Sequence, residues 1–277
     1  MNRPGSQKNQ RRISVVDILK PSSGRLQQAI RMAITGVNGV GKTTICADMP
    51  KCLFVDIEGG TKFLDVDRLE AKTYAEVLDI FNQFKEVKHD YKTLVLDSLD
   101  WFETIMEESI VAEAAQKKMG IEDIADIPNF RGYSLSQSKM KSFLNLCSEV
   151  VDTGVSVVLI CHTAPKEVTN DPLIPAHQKW VLKLRDKNAG KVKEWCDFLL
   201  FATYDRAIEV KGEFFNKQTT AKEKGERVMY TSGVDKFDAK SRVPLLNEDG
   251  EPVLPLKWQA FKDAYKKAVS NKSEEAA

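Results

Sequence analysis

Alternating strand and helix patterns predict an α/β fold: a mostly parallel sheet flanked by helices, extended towards the C-terminus by a β-hairpin. Three observations carry this expectation. Short apolar runs at 52–57, 93–96, 155–160 and 198–202 recur with helix-spaced apolar residues between them. A glycine-rich stretch at 36–41 joins an earlier apolar run to a helix. Beyond residue 205 the alternation gives way to two facing runs, 207–215 and 227–231, with polar residues between them.

The elements follow in order. Residues 1–27 are polar, with Arg3, Lys8, Arg11 and Arg12 and no acid before Asp17, and are expected to form a basic flexible arm. Residues 31–35 are the first strand and 43–49 the first helix. After the strand at 52–57, Thr73 and Glu76 make a capping box, and Tyr74, Val77, Leu78 and Phe81 follow at helical spacing. The strand at 93–96 leads into a long amphipathic helix through Phe102, Ile105, Met106 and Ile110. Polar residues and helix breakers fill 118–135. Met140, Phe143, Leu144, Cys147, Val150 and Val151 mark the next helix, which Gly154 ends. Strands at 155–160 and 198–202, the hairpin, and a helix through Trp258, Phe261 and Tyr265 complete the list. The expected organisation is an arm over 1–27, one domain over 28–265 and a polar tail over 266–277.

Composition narrows the class. The chain has 277 residues and a net charge of +1, so nothing global marks a polyelectrolyte partner. No apolar run approaches the roughly 18 residues that span a bilayer, and the first residues lack the apolar core of a secretory signal. The five cysteines form no C-x-x-C pair, which fits a reduced, cytoplasmic compartment. The three histidines are too scattered for a zinc site.

The glycine-rich stretch is Gly36-Val37-Asn38-Gly39-Val40-Gly41-Lys42-Thr43-Thr44, which fits G-x-x-x-x-G-K-[ST], the Walker A motif. Glycines let the backbone curl so that several N–H groups face phosphate oxygens. Lys42 then reaches the β- and γ-phosphates, Thr43 ligates Mg²⁺, and a helix starting near Lys42 adds its positive end. ATP and Mg²⁺ are the expected ligands. Thr93-Leu-Val-Leu-Asp97, roughly 55 residues further on, has the Walker B pattern and supplies a carboxylate for the metal. Ser98 follows Asp97 where many ATPases carry a glutamate, so a water-activating carboxylate has to come from elsewhere. Glu58 ends the strand after the first helix, on the same sheet edge, and is the candidate.

These residues resemble the RecA superfamily, whose ATPases carry their catalytic glutamate after the second strand and end their Walker B strand Asp-Ser. The resemblance implies a RecA-like P-loop NTPase core. It makes His162, in Val158-Leu-Ile-Cys-His-Thr163, the counterpart of the polar γ-phosphate sensor, which is glutamine in RecA itself. Asp238-Ala-Lys240-Ser-Arg242 is similar to the Lys-Asn-Arg segment of RadA, with Ser in place of Asn. That likeness implies that Lys240 and Arg242 enter a neighbouring subunit's nucleotide site. The layout over about 28–265 looks most similar to phage-encoded, core-only RecA-like ATPases of single-strand-annealing recombination, including Pro128-Asn-Phe-Arg-Gly-Tyr133 and Trp195. The resemblance implies a ring or filament, single-stranded DNA as ligand, a single-strand-binding protein as partner, and the bacterial host cytoplasm as setting. The extra N- and C-terminal domains of bacterial RecA are not expected in this layout, so full strand exchange is not expected either.

Between residues 163 and 193 seven Lys or Arg stand against three acids. Lys166, Lys179, Lys183, Arg185 and Lys187, with Trp180 among them, suit a single-stranded backbone and base stacking. This segment matches the second DNA-binding loop of the RecA family in position; Phe130, Arg131 and Tyr133 are weaker candidates for the first. Two other functions stay open: a P-loop nucleotide or small-molecule kinase, which needs an arginine-bearing lid, and a nucleotide-gated assembly factor without a DNA role.

Overall fold

Each central strand is apolar on both faces, because helices cover both sides of the sheet. Leu53, Val55, Leu94, Leu96, Val157 and Leu159 join one core, while Phe54, Val95, Val158 and Ile160 join the other. The computed structural model describes residues 29–169, 175–211 and 218–274. The predicted basic arm therefore lies outside the described residues.

The parallel strands are β1 (Arg31–Gly36), β2 (Cys52–Asp56), β3 (Asp67–Glu70), β4 (Thr93–Asp97), β5 (Ser156–Val168) and β7 (Phe198–Lys211). Antiparallel β8 (Gln218–Tyr230) and β10 (Val253–Pro255) extend one side, giving the order β10-β8-β7-β1-β5-β4-β2-β3. Off this path, β6 (His177–Leu182) pairs with β5 and β9 (Lys240–Ser241) with β7. One face carries α2 (Tyr74–Glu86), α3 (Leu99–Ala115), α4 (Arg131–Asp152) and α5 (Asp186–Trp195), whose apolar residues join the first core. The other carries α1 (Lys42–Ala47) and α6 (Trp258–Glu274).

This is the expected mostly parallel sheet flanked by helices, with a C-terminal hairpin formed by β7 and β8. The Thr73–Glu76 capping box is present, and Gly154, at φ +91°, follows α4 as predicted. Four expectations change. The strands at 198–202 and 207–215 are one strand, β7, with a register shift between Tyr204 and Arg206; the stretch 212–217 lies outside the described residues. The strand at 155–160 runs on to Val168, because its polar second half leaves the sheet to pair with β6. The basic segment is therefore a hairpin arm followed by a helix, not a simple loop. Finally, α6 continues to Glu274, through most of the predicted tail.

Candidate active site

Strand β5 lies between β1 and β4, so three strand ends converge at one edge: Gly36 of β1 stands opposite His162 of β5, and Asp97 of β4 opposite Ile160. Asp56 of β2 stands opposite Asp97 on the other side, which delivers Glu58 to the same edge. The cleft above them, about 390 Å³, is lined by Asn38, Gly39, Lys42, Thr43, Glu58 and Asp97, with His162 also on its wall.

The loop from Gly36 to Thr44 is preformed. Gly39 (φ +75°) and Gly41 (φ +103°) hold left-handed conformations that a side chain would strain. Lys42 is buried, and its Nζ donates to the carbonyls of Gly36 (3.0 Å) and Val37 (3.1 Å). Burial lowers its pKa although Asp97 favours the charge. The Thr43 hydroxyl donates to Asp97 Oδ2 at 2.8 Å, which joins the two predicted metal ligands directly. Burial pushes the Asp97 carboxyl up to about 6, against the Thr43 hydrogen bond and with support from Glu58 and Asp56.

Glu58 is fixed from below. Its N–H and that of Ile57 both donate to the Asp97 carbonyl, at 3.3 and 2.8 Å. The Asp56 carboxylate organises the turn beyond it, accepting from the N–H groups of Gly59 (2.6 Å) and Thr61 (3.1 Å) and from the Thr61 hydroxyl. The Ser98 hydroxyl lies 3.2 Å from Glu58 Oε2 and 2.9 Å from Asp100 Oδ1, so one proton serves two carboxylates. His162 closes the circuit. Asp100 accepts from its N–H (3.2 Å) and from Nδ1 (3.0 Å to Oδ2), which leaves Nε2 directed at Glu58, 3.9 Å away. Burial raises the Asp100 pKa, but the His162 ring and N–H and the Ser98 hydroxyl outweigh it and the net shift is downward.

A buried amine beside a curled, glycine-rich loop, a hydroxyl–carboxylate pair for a divalent cation and a second carboxylate poised for water form a nucleotide-hydrolysing arrangement. The family comparison agrees: a model described as "AAA domain" matches residues 28–243. The chain belongs to this AAA-domain family. No curated protein matches the chain at a significant level.

Family membership implies nucleotide binding and usually Mg²⁺, and the residues of this AAA domain fit both. Among the described residues no cluster of three or more His, Cys, Asp or Glu is arranged to hold a metal. Thr43 with Asp97 suits instead a cation that shares its ligands with phosphates and water. No helix among the described residues is long and apolar enough to cross a membrane.

The other predicted residues stand apart from the cleft. Lys240 and Arg242 adjoin the start of β7, at the opposite sheet edge from the phosphate loop. Lys240 Nζ donates to the carbonyls of Lys193 (2.7 Å) and Cys196 (2.8 Å), and Arg242 binds Asp197 at 2.7 Å. Of the predicted DNA-binding cations, Lys166 pairs with Asp186, Lys179 with Asp238, and Arg185 grips Glu107 through Nε and Nη2. Lys183 is 61% exposed and lies 3.6 Å from Asp100, while Lys187 is exposed on α5. Trp180 is 40% exposed on β6. Sequence reasoning missed Asp56, Asp100 and Arg227, the last of which also lines the cleft. Asp100 had one local signal, its place three residues after the Walker B aspartate at the mouth of a helix.

Proposed function

We propose that this AAA domain is a RecA-like ATPase that assembles into oligomers and acts on single-stranded DNA in recombination, annealing or repair. One observation supports this above others: Glu58, two residues past the end of β2, and His162 of β5 lie 3.9 Å apart in the cleft that Asp97 lines, so the candidate water-activating and phosphate-sensing groups come from separate strand ends. In this reading Glu58 orients and deprotonates the attacking water, and Lys42 lies along the phosphates. Bound Mg²⁺ supplies charge neutralisation on the phosphates. His162, held by Asp100, carries the state of the cleft to Lys183 and the β5–β6 arm. Trp180, Lys183 and Lys187 are the groups on that arm and helix that support a DNA contact. Lys240 and Arg242 stand across the sheet from their own cleft, so any catalytic role for them is with a neighbour's nucleotide.

The kinase alternative finds no support in the tract that resembles a lid. Arg185, the arginine in that tract, is anchored to Glu107 of α3.

The test is phosphate release by wild type, Lys42→Ala and Glu58→Gln, with and without single-stranded DNA at two salt concentrations, beside negative-stain microscopy. Hydrolysis should rise with DNA, fall with salt, and be lost at least 100-fold in both variants. Unchanged hydrolysis in Lys42→Ala would end the proposal for this site. Hydrolysis indifferent to DNA would end the DNA part, and phosphate transfer to a nucleoside monophosphate would favour the kinase.

A further inference from the structure

Most cations around the sheet edges are already satisfied. Arg31 and Arg242 share Asp197, Lys179 and Lys193 share Asp238, Lys166 has Asp186, and Arg185 has Glu107. Arg227 differs. Its backbone is held in β8, paired with Tyr204 of β7 and accepting from the Leu256 N–H at 2.8 Å. Its side chain extends over the phosphate loop: a methyl group added to Gly41 would lie 3.0 Å from Arg227 Nη1 and 3.8 Å from Leu256 Cδ2. Among the described residues no carboxylate pairs with its guanidinium, and it lines the same cleft as Lys42, Thr43 and Glu58. The hairpin touches the loop a second time, where the Tyr204 hydroxyl donates to the Gly39 carbonyl at 3.3 Å.

An exposed guanidinium set beside a loop that presents N–H groups, with no carboxylate pairing it among the described residues, is arranged to receive an anion. We propose that Arg227 is a second phosphate-binding cation of the nucleotide site, supplied by the C-terminal hairpin of the same chain. This rests on the reading of the Gly36–Thr44 loop as the phosphate cradle. Lys42 approaches the polyphosphate from within the loop, and Arg227 covers it from the strand above. Being on a sheet strand, Arg227 is in place before binding. A polyphosphate held by both cations ties β1 to β8, so occupancy of the cleft tightens the base of the hairpin.

The test uses the full chain and isothermal titration with Mg²⁺ and three probes: a non-hydrolysable ATP analogue, inorganic tripolyphosphate and adenosine. Arg227→Ala should weaken the analogue and tripolyphosphate about 10- to 30-fold, as expected for a lost charge-assisted contact, and leave adenosine unchanged. Arg227→Lys should recover part of the loss; it also serves if the alanine variant fails to fold. Wild-type tripolyphosphate affinity in Arg227→Ala would overturn the proposal. Weakening of the analogue alone would overturn it too, by placing the contact on the nucleoside. Loss of all probe binding in Lys42→Ala with Arg227→Ala unaffected would refute the role of Arg227 while leaving the cradle intact. Full binding in Lys42→Ala would refute the cradle, and this inference with it.

Discussion

Asp100 concentrates more of the site's order than any residue whose motif is recognisable. It is 6% exposed and holds His162 at two points while taking a share of the Ser98 proton. Asp100→Asn keeps the shape but removes the charge and one acceptor. His162 and Ser98 then lose their common anchor, without any change in the groups that grip phosphates. The expected result is a fall in kcat of roughly 10- to 100-fold with KM for ATP within about twofold, and an altered pH–rate profile. A merely structural role would lower thermal stability and leave the profile's shape intact. Asp97 gives a second prediction. Its carboxyl titrates at about 6, so it is protonated below that pH and cannot ligate Mg²⁺. Mg²⁺-dependent nucleotide affinity should fall between pH 7 and 5, with a midpoint that moves lower as Mg²⁺ is raised, measured by titration at fixed ionic strength. Gly36, Lys42, Thr43 and Asp97 were legible in the sequence because the phosphate chain imposes a local spacing. Asp100 and Arg227 were not, because their partners, His162 and Gly41, stand far away along the chain and meet them only when the sheet is assembled.

At the scale of elements, α5 is held at its start by a side chain from another helix. Glu103 of α3 accepts from the Arg185 N–H at 3.0 Å and from Asn188 Nδ2 at 2.7 Å. Glu103→Ala leaves the buried Asn188 amide and the part-buried Arg185 N–H without that partner, and should cost about 2–3 kcal/mol in denaturant unfolding, with faster hydrogen exchange in α5 than in α2. A uniform rise in exchange would deny the cap. The elements that sequence reasoning found are those with a one- or two-sided apolar pattern. Two that it missed lack that pattern. β3 is the polar Asp67–Glu70 at the sheet edge, and β6 alternates polar residues on an arm outside the sheet. The pairing that makes them strands comes from their neighbours' unpaired backbone groups, not from side-chain burial. The basic stretch was misjudged for a related reason. Its charge excess is visible in the sequence, but the acids that offset it, Glu107 and Asp238, come from distant elements.

For the whole molecule, opposed pKa shifts set the pH of greatest stability. Burial pushes Glu103 up to about 7 and Asp97 to about 6. Both folded values lie above the unfolded ones, so this contribution is complete near pH 4 and is lost as pH rises through 6 and 7. Asp100, Asp197 and Asp238 are shifted down: burial alone would raise them, but His162 with Ser98, Arg31 with Arg242, and Lys193 with Lys179 prevail. Their contribution is present above about 4 and is lost in more acid solution. The nucleotide-free protein should therefore melt several degrees higher at about pH 5 than at pH 8, and decline again below 4, as read by calorimetry. Saturating Mg²⁺ and nucleotide should flatten the alkaline side, since a bound cation favours the Asp97 carboxylate. The single α/β domain was predictable because both cores draw on strands with unmistakable apolar runs.

Strand β5 has a mechanical consequence. Its first half is clamped on both sides, between β1 and β4, whereas its second half projects with only β6 beside it. His162 stands where clamping ends. A strand is stiff along its length, at about 3.3 Å per residue, so the projecting part is a lever some 20 Å long with its fulcrum at His162. The same strand thus joins the far end of the arm to the ring that lies 3.9 Å from Glu58, so a tilt of the arm and a tilt of that ring would be one motion.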